Sequence, residues 1–232
     1  LEMNPGDASV HLNLGVALSR AGRTREALDE YRKGLAKNPN DPDLYSHIGM
    51  ALSESGRYVD AIAHFEKGLS LQPKDASPSD RATIHDHLGR ARAGTGDMNG
   101  AIREFAEANK LHPNFGPYLY DNALALTQLN RLDEAQSLVE SAVKAMPELL
   151  EAHELLGGLY AKKRRLAEAA REYQTALKLR PDFTRFHLAL ANVFAAQGNM
   201  QASLRHLREA AKAADPAIAQ AAAQELKRLG QR

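Results

Sequence analysis

The 232-residue chain contains no cysteine and no tryptophan, and its aromatics are limited to seven tyrosines and six phenylalanines. Without cysteine there are no disulfides and no thiolate chemistry, and redox compartment is left open. No apolar run approaches the roughly eighteen residues that a membrane-spanning helix needs, so insertion into a bilayer is not expected. Charge of one sign is also lacking. Lys+Arg number 30 and Asp+Glu 29, which does not support the basic footprint of a nucleic-acid binder. Asparagine glycosylation sequons are absent. Nothing in composition distinguishes a cytoplasmic from a periplasmic location.

What the chain does have is a theme that returns with a period of about 34 residues, the signature of stacked supersecondary units. Leu14-Gly15, Ile48-Gly49, Leu88-Gly89 and Leu156-Gly157 align, with Asn122-Ala123 and Leu190-Ala191 as variants. In the first repeat, residues 8–41, His11, Leu14, Gly15 and Leu18 lie on one face of a helix. Gly22 breaks the pattern, and Ala27, Tyr31 and Gly34 carry it on in a second helix. Asn38-Pro39 closes the repeat, since proline cannot continue a helix interior. Each repeat therefore reads as a helical hairpin.

The same pattern places repeats at 42–75, 82–115, 116–149, 150–183 and 184–216. Residues 76–81 are extra. Ser77, Pro78 and Asp80 read as an N-cap, a first-turn proline and a capping box, so this insertion should lengthen the next helix. Residues 217–232 read as a capping helix with Gln220, Gln224, Lys227 and Arg228 on its outer side, and as the natural end of the chain. At the other end, residues 1–7 match residues 35–41 in register. They are expected to be the tail of a truncated upstream repeat of a longer protein. The first hairpin would then lack part of its cover around Leu14 and Leu18, an invitation to homo-oligomerisation.

These motifs resemble the tetratricopeptide repeat (TPR) family over essentially the whole chain. In that family a large residue is followed by Leu-Gly, Tyr or Leu, Ala, an aromatic, Ala and Pro at these spacings. The resemblance implies an all-α, right-handed superhelical solenoid of about six antiparallel helix pairs plus the capping helix. Ala27, Ala61, Ala101, Ala135 and Ala169 would mark the close approach within each pair. There are departures. Histidine stands at the first large position in four repeats, Arg92 replaces an apolar residue, Asn122 replaces a leucine, and Arg164 replaces the turn glycine.

Candidate chemistry is thin. His11, His85, His153 and His187 share one repeat position and so form a column spaced by a helix-pair thickness of about 10 Å. Metal ligands must converge at about 2 Å on one ion, so the column reads as half-buried packing. In His85-Asp86-His87 the histidines, two apart on a helix, do not face one another. His47 and His87 share another position one repeat apart, still too distant for one ion. Gly94-Thr95-Gly96-Asp97-Met98-Asn99-Gly100 lacks the strand and spacing of a phosphate loop and reads as a hairpin turn. Lys162-Lys163-Arg164-Arg165 is a basic turn with some potential for an acidic partner. No nucleophile motif has a supporting context. Neither catalysis nor a cofactor or metal is expected.

What remains is a surface. Positions 2, 5, 9, 12 and 13 of each first helix lie opposite the core positions at 100° per residue. In TPR proteins that face lines a concave groove where peptides bind. Here it presents Leu12, Val16, Met50, Asp86, Arg90, Tyr120, Leu124, Glu154 and Arg185 as the candidate partner-binding residues. Leu12/Val16 and Asp86/Arg90 stand where the family's carboxylate clamp needs Lys-x-x-x-Asn and Lys-x-x-x-Arg, which disfavours recognition of chaperone tails. The asparagine ladder of sugar-transferase relatives is represented only by Asn13. The expected function is a non-catalytic protein–protein interaction module that holds a peptide or protein segment in its groove. The alternatives are a docking arm of an enzyme lying upstream of residue 1, and a self-assembling scaffold.

Overall fold

A computed structural model describes residues 7–230, and among them there are thirteen helices and no strand. The truncated-repeat reading of residues 1–7 falls, but for Asp7, outside the described residues. The chain divides into two compact units whose boundary lies between Asn130 and Arg131.

The first unit holds α1 (Ala8–Arg20), α2 (Thr24–Lys37), α3 (Pro42–Glu54), α4 (Tyr58–Leu71), α5 (Pro78–Gly94), α6 (Met98–Leu111) and α7 (Gly116–Gln128). Each helix packs on the next, and the first helices α1, α3, α5 and α7 also touch in succession. The second unit holds α8 (Leu132–Ala145), α9 (Leu150–Lys162), α10 (Leu166–Leu179), α11 (Arg185–Ala196), α12 (Met200–Ala210) and α13 (Pro216–Gly230). Here too each helix packs on the next, and α13 also touches α11.

Local chemistry explains the hairpins. Asp41 caps α3 by accepting from the amides of Asp43 (3.0 Å) and Leu44 (3.2 Å), and Pro42 enters where no amide donor is needed. The first helix then runs until Gly56, at φ 72°, turns the chain through the left-handed region. Close approach inside the pair is steric. A Cβ on Gly49 would stand 2.7 Å from the Phe65 ring, so only glycine lets the aromatic of α4 lie flat against α3. Ala27, Ala61, Ala101, Ala135 and Ala169 are fully buried.

Two expectations are refined. The insertion does continue as helix: α5 has 17 residues against 13 in α3. Ser77 occupies the N-cap position, but its side chain makes no capping bond; Asp80 faces a surface concavity instead of closing a box. The histidine column is half-buried or buried, and it is more than packing. His11, His85 and His153 bond through Nδ1 to Glu30 (2.8 Å), Glu104 (2.9 Å) and Glu172 (2.7 Å), each nineteen residues on in the paired helix. His187 meets His206 at the same separation. A polar side chain at this depth needs a partner, and the opposite helix supplies one.

Arg92 is accommodated in the same manner. Its guanidinium contacts Glu66 of α4 (2.7 Å) and Glu104 of α6 (3.4 Å), tying three helices together. Asn122 is buried with no protein partner on Oδ1.

Candidate binding surface on the first helices

In the first unit, the inward faces of α1, α3 and α5 form a run of concavities. One, of about 220 Å³, lies between Val16, Ser19 and Arg20 of α1 and His47, Met50 and Glu54 of α3. The next, of about 330 Å³, lies between α3 and α5, with Met50, Phe65, Ile84 and His87 as its apolar and aromatic walls. His47 and Met50 belong to both, so the two are contiguous. The imidazoles are seated on the aromatics of the preceding repeat. His47 lies 5.7 Å from the Tyr31 ring, and His87 stacks on Phe65 at 6.0 Å with an 8° interplanar angle. Burial, reinforced by Arg90, pushes the His87 pKa down to about 4, so its ring is neutral near pH 7.

Further along, α5 and α7 carry a charged cluster. Arg90 contacts Asp86 through Nε (3.0 Å) and Asp121 of α7 through Nη2 (2.6 Å). Asp86 is only 3% exposed. Burial raises its carboxyl to about 7 against the pull of Arg90, with Asp121 adding repulsion. Burial raises Asp121 as well. Two carboxyls this close share a proton rather than ionise together.

The predicted site residues are thus distributed unevenly. Val16 and Met50 share one concavity. Leu12 is half-buried and packs against the core of the first unit. Tyr120 is half-buried, and Leu124 is 37% exposed. Asp86 corrects the surface reading, because it sits below the surface, not on it. Ser46, at the same repeat position, is buried too, bonded to the Pro42 carbonyl at 2.8 Å and lying against Gly68, which leaves room for it. Arg90 is exposed at its edge, but both carboxylates already engage its guanidinium. In the second unit Glu154 and Arg185 pair with each other at 2.7 Å.

Sequence reasoning missed His47 and His87 as surface-forming residues, along with Asp80 and Asp121. The signal was available at position 6 of the first helix, next to position 5, where His47, His87 and Asp121 stand in successive repeats. The basic turn is largely consumed by its own unit. Lys163 bonds Asp133 (2.5 Å) and Gln136 (2.7 Å) of α8, and Arg165 lies 4.5 Å over the Tyr160 ring while pairing with Glu168. Among the described residues no group of three or more His, Cys, Asp or Glu could hold a metal ion, and no helix is long and apolar enough to cross a membrane.

Comparison with known proteins agrees with this architecture. A profile described as "Tetratricopeptide repeat" matches residues 1–42 and 12–81, and one described as "TPR repeat" matches 157–198. No curated protein matches the chain in sequence. Among solved structures the chain is similar to pilF of Pseudomonas aeruginosa, with a TM-score of 0.75 at 16% identity over 87% of this chain and 89% of that one. It is similar to YrrB, described as a TPR protein with an unusual peptide-binding site, with a TM-score of 0.62 at 23% identity over 80% and 92%. MamA from Desulfovibrio magneticus RS-1 is similar at a TM-score of 0.64 and 21% identity over 81% and 95%. At these identities the structural likeness speaks for the fold alone. With the two profiles together covering more than half of the chain, the protein belongs to the tetratricopeptide repeat family.

Proposed function

We propose that the protein is a non-catalytic interaction module that holds a segment of a partner protein against the first helices of its first unit. The observation that carries this reading is the contiguous pair of concavities joined at His47 and Met50. A surface of that kind gives an extended chain several shallow seats in a row, and a few well-covered anchors can supply most of the affinity. The likeness to YrrB, a peptide-binding protein by its description, supports the reading. Arg90, held by Asp86 and Asp121, serves this surface as part of its fixed charge.

Selection of binders from a randomised displayed peptide library tests it. Peptides that bind the 232-residue chain should lose at least about tenfold in affinity, or roughly 1.4 kcal/mol, with Met50→Glu or Val16→Glu. Charge reversal at the exposed Lys178 of α10 should leave them unaffected. Binding that ignores Met50 and Val16 and follows Lys162 and Arg164 would replace this reading with an acidic partner at the turn.

A second reading, self-association through the α1–α2 face, is favoured by Leu14, which is 46% exposed beside Leu18 in a shallow concavity. Sedimentation across a concentration series tests it. Dimerisation should weaken with Leu14→Lys, and a monomer at every concentration removes it.

A further inference from the structure

With this face taken as a peptide-binding surface, the larger of its two concavities constrains the chemistry of the occupant. Its volume of about 330 Å³ lies at the low end of the range of roughly 300–1,000 Å³ for ligand pockets. That suits one large side chain with its flanking backbone. The floor is apolar: Met50 and Ile84, and the Phe65 ring with His87 stacked on it. The neutrality of His87 near pH 7 keeps that floor uncharged.

The rim is different. Asp43 and Asp80, in the first turns of α3 and α5, both line the opening. Neither carboxylate has an ion-pair partner among the described residues, whereas Glu26, Asp29, Glu30 and Asp60 of the first two hairpins are each held by an arginine or lysine three residues away. No lysine or arginine lines this concavity. The charge beyond it does not compensate: Asp86 and Asp121 share the single Arg90, and the smaller concavity is lined by one cation, Arg20, and one acid, Glu54.

We infer that this concavity receives a partner segment in which one large aliphatic side chain is flanked by lysine or arginine, the aliphatic group entering between Met50 and Ile84 and the cations reaching Asp43 and Asp80. The apolar contact supplies most of the affinity, because exposed ion pairs contribute little individually. The two carboxylates act chiefly by selection. A basic flank is accepted, while an acidic flank meets like charge, which suppresses wrong partners more than it tightens right ones.

Four labelled peptides of one length test this by fluorescence anisotropy on the 232-residue chain: Lys-flanked leucine, Glu-flanked leucine, Ser-flanked leucine, and Lys-flanked alanine. The Lys-flanked leucine peptide should bind at least about fivefold tighter than the Glu-flanked one at low salt, a gap that narrows as salt rises. Alanine in place of leucine should cost about tenfold or more. The double variant D43N/D80N, checked for unchanged helicity, should bring the Lys- and Glu-flanked peptides together while keeping the preference for leucine over alanine. Equal binding of Lys- and Glu-flanked peptides to the parent chain, or a preference that survives D43N/D80N, overturns the inference. If Met50→Glu still abolishes binding in that case, the surface is right and its charge preference is wrong. If no peptide responds to Met50→Glu, the surface itself is wrong.

Discussion

Asp86 in the first unit and Glu154 in the second stand at the same position of their repeats, and each faces an arginine. Asp86 lies below the surface with a side chain only 4% exposed, shares Arg90 with Asp121, and is raised to about 7. Glu154 is 41% exposed and meets Arg185 at 2.7 Å in the open. A repeat position therefore fixes direction but not depth. Depth depends on neighbouring side chains, and the same pairing of acid with arginine has different energetics in the two places. An exposed pair gains little over solvation. A buried pair has lost its solvation and depends on its partner.

Removing the arginine from each pair should separate them most. Arg90→Ala leaves two buried carboxyls with no counter-charge, and at pH 8 it should cost about 2–3 kcal/mol, below the usual figure because Arg90 is itself half-exposed. At pH 5 the loss should shrink, since protonation can neutralise Asp86. Arg185→Ala should cost less than about 1 kcal/mol at either pH. Urea midpoints at the two pH values check this, and equal costs for the two variants would remove the distinction in depth.

Packing should show no such difference. Ala101 of α6 and Ala169 of α10 are both fully buried at the contact within their hairpins. Leucine at either should cost about 1–3 kcal/mol by overpacking. An unaffected midpoint for one of them would mean that the two units are not packed on one plan.

The pH dependence sharpens the comparison further. The raised Asp86 carboxyl favours folding fully below its unfolded pKa, and that contribution is lost as pH rises toward about 7. The depressed His87 works in the opposite direction: its contribution is present above its unfolded pKa and is lost as pH falls toward about 4. Adjacent side chains in the first unit thus offset each other between about pH 4 and 6.5. Asp86→Asn should uncover the His87 slope, so that the variant loses stability on acidification by on the order of 1 kcal/mol per unit of pKa shift. His153 in the second unit, raised chiefly by its bond to Glu172, favours folding at acid pH and loses that contribution as pH rises through its folded value. A parallel pH profile for the parent chain and Asp86→Asn would show that Asp86 titrates normally.

The hairpins, their turns and the alanine contacts were legible because each follows from one residue type acting locally: proline ending a helix, glycine turning the chain, alanine permitting close approach. The histidine bonds were only half legible. The column was evident, yet its partners Glu30, Glu104 and Glu172 lie one helix later, and pairing them requires knowing which faces meet. The inward face was legible in direction through Val16 and Met50. The burial of Asp86 was not, and the shared position of His47 and His87 gave their direction without showing what seats them in the concavities. Both features arise between repeats, where Tyr31 and Phe65 seat the imidazoles and where Asp121 on α7 comes up against Asp86.

The smallest effect concerns the turns. Four hairpin turns use glycine with positive φ, among them Gly96 of the first unit at φ 87° and Gly198 of the second at φ 79°. Arg164 takes the same left-handed conformation, at φ 62°, with a Cβ that crowds the backbone. Its side chain is exposed and makes no ion pair among the described residues, so little is lost on removing it. Arg164→Gly should therefore stabilise the chain, by up to about 1 kcal/mol once the greater freedom of glycine in the unfolded chain is set against the relief of strain. Asn130, at φ 58°, should gain less from the same change, because asparagine tolerates this region. Gly96→Ala should lose a comparable amount in the first unit. Thermal midpoints of the three variants give the order, and a destabilised Arg164→Gly would mean that the arginine side chain, and not the backbone of its turn, holds the fifth hairpin closed.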